Sequence, residues 1–231
     1  MTATVRRLIC AALVLLTAAE LCVLGALVAL GSRTLSDRPL TMLTTEAIPY
    51  LRQDMGYVAE RVALNEELSE DRQTVVNAAL SIVDEVGYFW GGKSFCIGKD
   101  PLWGAPTEVT SHGSDSTGTI QPFGLDCSGY ISWCFIQTVM SFDDMVESVG
   151  NGSSNQWDRT YAIGWTELIP GDLVFQYDPA AGLGNHVGIV VGFAEDGEPL
   201  IAHCGYTLQG AAVSGRGDIF TIPRRPNFYG D

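Results

Sequence analysis

Three histidines and six cysteines carry most of the reactive chemistry in this sequence. The cysteines stand at 10, 22, 96, 127, 134 and 204, with no CxxC pair and no metal-ligand spacing, so zinc and thioredoxin-like chemistry are disfavoured. Cys127 lies in Asp126-Cys127-Ser128-Gly129, just ahead of Tyr130, Ile131, Cys134, Phe135, Thr138 and Val139, which recur at helical period. It therefore opens a helix. There the backbone dipole and unpaired N–H groups favour thiolate over thiol, and the same N–H groups can donate to an oxyanion on an attacked carbonyl.

A thiol nucleophile also needs a general base. His112 sits between Ser111 and Gly113 in a polar stretch and reads as a solvated loop residue, whereas His186 and His203 fall on neighbouring predicted strands. Asp196-Gly197 signals the hairpin between them. A two-residue turn there puts His203 opposite Val190, on the face of His186 but roughly 13 Å away. A longer, asymmetric loop through Glu195 to Pro199 can bring them together, while a one-residue shift sends them to opposite faces. A single Cys96–Cys204 or Cys96–Cys134 bridge also stays open at this stage.

The elements that hold these residues follow from periodicity. Val75, Ala78, Ala79, Ile82 and Val86 share a helix face that ends at Gly87, and Asp143 to Val149 predicts a short helix. Asn151 to Asn155 is turn-rich. Residues 93–124, rich in Gly, Ser, Thr and Pro, read as a long loop and a candidate cleft wall. The period then changes. Leu173, Phe175 and Tyr177 alternate after the Pro170-Gly171 turn, Val187, Ile189, Val191 and Phe193 alternate after His186, and Leu200 to His203 returns as a partner strand. Helices first and strands second predict an α+β fold.

Leu8 to Gly31 is an apolar run broken only by Thr17 and Glu20 and preceded by Arg6 and Arg7. At about 24 residues it can cross a ~30 Å hydrocarbon layer, and the arginines bias the N-terminus inward. The expectation is residues 1–31 as cytoplasmic tip and transmembrane anchor, 32–70 as an extracytoplasmic linker with one helix through Tyr50 to Val62, and 71–231 as the functional domain outside the cell membrane. A cleaved signal peptide ending near Ala29-Leu30-Gly31, leaving a secreted protein, is the alternative. With 27 acids against 13 Lys and Arg, the formal charge of -14 argues against nucleic-acid partners.

Singly, a helix-start cysteine and a strand histidine are commonplace core residues. Together with their neighbours they carry a resemblance. Tyr88-Phe89-Trp90-Gly91-Gly92, Asp126-Cys127-Ser128-Gly129, Pro170-Gly171-Asp172-Leu173-Val174-Phe175 and His186-Val187-Gly188-Ile189-Val190 resemble, in order, the motifs of NlpC/P60 cysteine peptidases over residues 72–206. The resemblance implies a papain-like core, helices packed on an antiparallel sheet, with Cys127 as nucleophile, His186 as base and His203 as the orienting third residue. It implies substrate contacts at Tyr88, Asp126 and Ser128, no metal or organic cofactor, and peptidoglycan as partner. The implied reaction is hydrolysis of a stem-peptide amide, commonly between D-γ-glutamate and diaminopimelate or lysine. The segment between Gly92 and Asp126 is longer than the family's usual one. Trp90, Trp133, Cys96, Cys134 and Cys204 read as structural. The rivals are a CHAP-like amidase or endopeptidase and a catalytically silent wall-binding module.

Overall fold

The computed structural model describes residues 68–230, apart from 139, 183 and 184. The expected membrane anchor and linker helix lie outside these residues, and among the described residues no helix is long and apolar enough to cross a membrane. The fold is α+β.

Helix α1 (Glu70–Ser81) starts where Ser69 accepts the Arg72 N–H at 3.3 Å, with Glu70 and Asp71 complementing the positive end of its dipole. It stops at Ser81, short of the expected Gly87. Asp84 adopts φ +59°, and its N–H bonds Ala211 while Val86 accepts from Ala211 N–H, so the chain leaves the helix to cover a sheet edge. The long polar segment holds a small hairpin, β1 (Pro106–Glu108) with β2 (Ile120–Pro122), and is not structureless.

Helix α2 (Cys127–Ile136) is followed by α3 (Phe142–Ser148) and α4 (Ser153–Asp158), the last arising partly from residues expected to be turn. Six strands follow: β3 (Thr160–Ala162), β4 (Leu173–Phe175), β5 (Val187–Phe193), β6 (Pro199–Gly205), β7 (Gly210–Gly215) and β8 (Ile222–Pro226). They form one antiparallel sheet in the order β3-β8-β4-β5-β6-β7. Strands β3, β7 and β8 are short or built from Gly, Ala, Arg and Pro, which left no alternating pattern to read.

Both sheet faces are buried. Helices α1 and α2 cover one, packing Val75, Ala79, Ile131 and Phe135 against Leu173, Phe175, Val187, Ile189, Val191 and Ala202. The other holds Leu168, Val174, Val190, Ile201 and Phe220. The face of His186 is therefore not uncluttered, and Phe193 packs there rather than with Val191. Helix α1 is tied to the sheet by fully buried Asp172, which accepts from Arg72 Nη1 at 3.1 Å and from Arg225 Nε and Nη2 at 3.0 and 2.9 Å. A buried carboxylate needs such paired cations to offset its lost hydration.

The hairpin β5–β6 decides where the two histidines meet. Its turn is a three-residue loop, Glu195 to Gly197, closed by Ala194 N–H to Glu198 carbonyl at 2.8 Å, with Gly197 at φ +87°. That loop alone would put His203 on the face opposite His186. A bulge at Val191 adds a second shift, for Val190 pairs with Ile201 whereas Gly192 pairs with Leu200. Beyond it Ile189 pairs with Ala202, which carries His203 to a position diagonal to His186 on the same face.

Candidate active site

Cys127 is the first residue of α2, and its position is built from close backbone contacts. Asp126 caps the helix, its Oδ1 accepting Gly129 N–H at 2.7 Å. Asp126 N–H bonds the Gly92 carbonyl at 3.1 Å, so the Tyr88–Gly92 segment runs along the helix start. A Cβ at Gly129 would stand 2.0 Å from that carbonyl, and glycine is what permits the approach.

The Cys127 sulfur lies 3.9 Å from the Asn185 carbonyl, and the N–H groups of Val187 and Ser128 donate toward it. It therefore packs against the backbone on either side of His186. No hydrogen bond joins the thiol to the imidazole. Burial opposes the thiolate that a helix start favours. Burial, and secondarily Asp126, push the thiol up to about 11, outweighing Lys93 and the two N–H donors.

The histidines form a relay. His186 Nε2 is 2.9 Å from His203 Nδ1, and His203 Nε2 is 2.9 Å from Ser214 Oγ. Ser214 donates its hydroxyl to the Gly215 carbonyl at 3.1 Å and so receives the proton of His203 Nε2. His203 Nδ1 is then an acceptor, and His186 must donate through Nε2. This network assigns the tautomer that leaves the lone pair on His186 Nδ1. Phe220 stacks on His186 at 5.5 Å and meets the edge of His203 at 5.1 Å, shielding the pair from water.

Burial lowers His186 to about 4 despite the opposing charge of Asp126, and burial with the neighbouring His186 lowers His203 to about 3. Both rings are neutral near pH 7. In the unfolded chain they take up protons near 6.5, so their contribution to stability is complete above that pH and is lost as pH falls toward about 4 and then about 3. The denaturation midpoint in urea should fall steadily from about pH 7 to pH 5. A constant midpoint over that range would contradict the burial of neutral histidines.

Gly188 faces His203 across the hairpin. An added Cβ would meet Ile201 Cγ2 at 2.5 Å and both the Ala202 carbonyl and His203 Cβ at 3.2 Å. Gly188→Ala is expected to lower Tm by roughly 3–10 °C through overpacking and to cut turnover by moving His203. Thermal denaturation alongside steady-state kinetics checks both effects.

A cleft of about 390 Å³ opens over Cys127, lined also by Trp90, Lys93, Asp126, Ser128 and Asn185. Asp126 and Ser128 thus line the cleft, and Trp90 is a cleft residue rather than only packing. Its indole N–H donates to the His112 carbonyl at 3.0 Å, which is how the long segment supports this wall. Tyr88 sits beside the site, its phenol raised by burial and by the charges of Cys127 and Asp126, with its ring edge-on to Tyr206 at 5.8 Å. Cys96, Cys127, Cys134 and Cys204 are all unbridged, and buried Cys204 donates to the Leu125 carbonyl at 3.1 Å. Among the described residues no group of His, Cys, Asp and Glu is arranged to hold a metal ion.

Lys93, Asn185, Ser214 and Phe220 are the site residues that sequence reasoning missed. Lys93 and Asn185 adjoin recognised motifs and could have been marked by that adjacency. Ser214 and Phe220 belong to strands and loops with no pattern.

No curated protein matches the chain. Among solved structures, the peptidoglycan hydrolase RipB from Mycobacterium tuberculosis is 19% identical with a TM-score of 0.45, covering 82% of this chain and 89% of that one. RipD from the same organism, described as a non-catalytic NlpC/P60 domain protein adapted to peptidoglycan binding, is 18% identical with a TM-score of 0.45, covering 68% and 98%. The P60 domain of an antigen from M. avium paratuberculosis is 18% identical with a TM-score of 0.45, covering 68% and 93%. The NlpC/P60 family model matches residues 85–214, from just before the Tyr88 motif to the end of the histidine relay at Ser214. Since that match spans more than half of the 231 residues, the chain belongs to the NlpC/P60 family.

Proposed function

We propose that this chain is a cysteine peptidase that hydrolyses an amide of peptidoglycan stem peptides, the D-γ-glutamyl bond to diaminopimelate or lysine, with Cys127 as nucleophile, His186 as base and His203 as orienter. The observation that carries this reading is the relay from Ser214 through His203 to His186, with the Cys127 sulfur against the backbone flanking His186. On attack, the thiol proton passes to His186 Nδ1 as sulfur bonds to the substrate carbonyl carbon. The oxyanion is met by N–H at the start of α2, Ser128 foremost. Collapse breaks the C–N bond, His186 returns the proton to the leaving amine, and water then hydrolyses the acyl-enzyme by the same route.

Residues 1–31 as a membrane anchor, 32–70 as a linker and a site outside the cell complete the proposal, supported by the apolar run and its basic flank. A module that binds wall peptide without cutting it is the second reading. The observation on its side is that the Cys127 sulfur meets the Asn185 carbonyl at 3.9 Å and makes no hydrogen bond to His186.

Purified peptidoglycan incubated with the 231-residue chain in detergent, followed by mass spectrometry of the released fragments, tests the proposal. Fragments ending in D-glutamate support it. Binding to the wall without any fragment favours the silent module, and cleavage at another amide favours the CHAP-like reading.

A further inference from the structure

Lys93 is one of only two lysines in the chain, and it lies within the cleft. Its Nζ is 2.5 and 2.6 Å from the two carboxylate oxygens of Asp126 and 2.9 Å from Ser128 Oγ. Asp126 Oδ1 also accepts from Ser128 Oγ at 2.9 Å and from Gly129 N–H at 2.7 Å. The carboxylate beside the nucleophile is therefore satisfied from within. The pair is largely sheltered, its side chains 21% and 12% exposed. The lysine stem is held over the helix start, for a Cβ at Gly129 would lie 3.2 Å from Lys93 Cδ.

The consequence concerns what the cleft can admit. An unpaired carboxylate there would attract a substrate ammonium, and in a low-dielectric pocket that attraction would dominate selectivity. With Lys93 in place, an incoming ammonium finds the Asp126 carboxylate already paired and a positive charge beside it. A neutral acyl group meets no such repulsion. We propose that Lys93 sets the substrate class of this cleft, selecting stem peptides whose amino end is acylated over those ending in a free ammonium. The assignment rests on the peptidase reading above and deepens it. Lys93 also opposes the effect of Asp126 on the Cys127 thiol, so its charge serves the nucleophile as well.

The test uses L-alanyl-D-γ-glutamyl-L-lysine and its Nα-acetyl derivative with the 231-residue chain, Lys93→Gln and Lys93→Arg. Glutamine keeps a donor for Asp126 without the charge, and arginine keeps the charge. The wild type should favour the acetylated peptide in kcat/KM by tenfold or more. Lys93→Gln should shrink that preference at least tenfold through a lower KM for the free-amine peptide, and Lys93→Arg should retain it. A wild type that prefers the free amine, or the same ratio in Lys93→Gln, overturns the assignment. Should Lys93→Gln not fold, Lys93→Gln/Asp126→Asn leaves no lone charge and should likewise lose the preference. Calorimetric binding of both peptides to Cys127→Ala, with and without Lys93→Gln, separates this proposal from hydrolysis itself. A shift in selectivity there without wild-type turnover upholds Lys93 and sinks the peptidase, whereas equal affinities in both variants, or no binding, overturn the role of Lys93.

Discussion

Cys127→Ala should reduce kcat/KM for a stem peptide by at least about 10⁴-fold, since loss of a nucleophile leaves only the oxyanion donors and binding. The fold should survive. The cap on α2 belongs to Asp126, the backbone contact with Gly92 does not involve the side chain, and the sulfur makes only weak contacts, 3.9 Å to the Asn185 carbonyl and with the N–H groups of Val187 and Ser128. The change in Tm should stay within a few degrees. Kinetics on the tripeptide with parallel calorimetry check both halves. Full activity in a variant of unchanged Tm would remove Cys127 from the mechanism.

His186→Ala should lose about 10²–10⁴-fold in kcat, the usual contribution of a positioned base. His203→Ala should lose less, because His203 orients the ring and fixes its tautomer without touching the transferred proton. Ser214→Ala should cost least, since water can replace a hydroxyl that only receives the proton of His203 Nε2. Equal substrate concentrations and pH are needed for the ranking. The reverse order of the two histidines would exchange base and orienter.

The helix-start position of Cys127 was legible because its signal is local, a helical stripe that begins immediately after it, whereas the Asp126 cap and the close approach at Gly129 emerge only in the structure. The pairing of His186 with His203 was not legible. It depends on a three-residue turn and a one-residue bulge acting together, and nothing in the run Val190-Val191-Gly192 announces which residue is extra. Asp172 stands at the strand start that follows the Pro170-Gly171 turn, and nothing local announces that it is the buried anchor of two arginines, Arg72 lying 100 positions away. Lys93 carries no motif of its own. Its meaning appears only once the Gly92 segment is laid against Asp126. Ser214 sits among glycine and alanine on β7, where small side chains give no pattern, and reaches His203 because Ser214 pairs with Ile201 on the same face. Helices α1 to α3 and strands β4 to β6 were read because their apolar periods are strong, whereas β1, β2, β3, β7 and β8 were hidden by their shortness or composition.

The most direct test of the central claim is interception of the acyl-enzyme. Nα-acetyl-L-alanyl-D-γ-glutamyl-L-lysine is incubated with the chain in the presence of hydroxylamine, and products are weighed by mass spectrometry. The account predicts a D-glutamyl hydroxamate that grows with hydroxylamine at the expense of the free acid, and neither product with Cys127→Ala. Free acid formed with no hydroxamate, or cleavage that persists in Cys127→Ala, would contradict it.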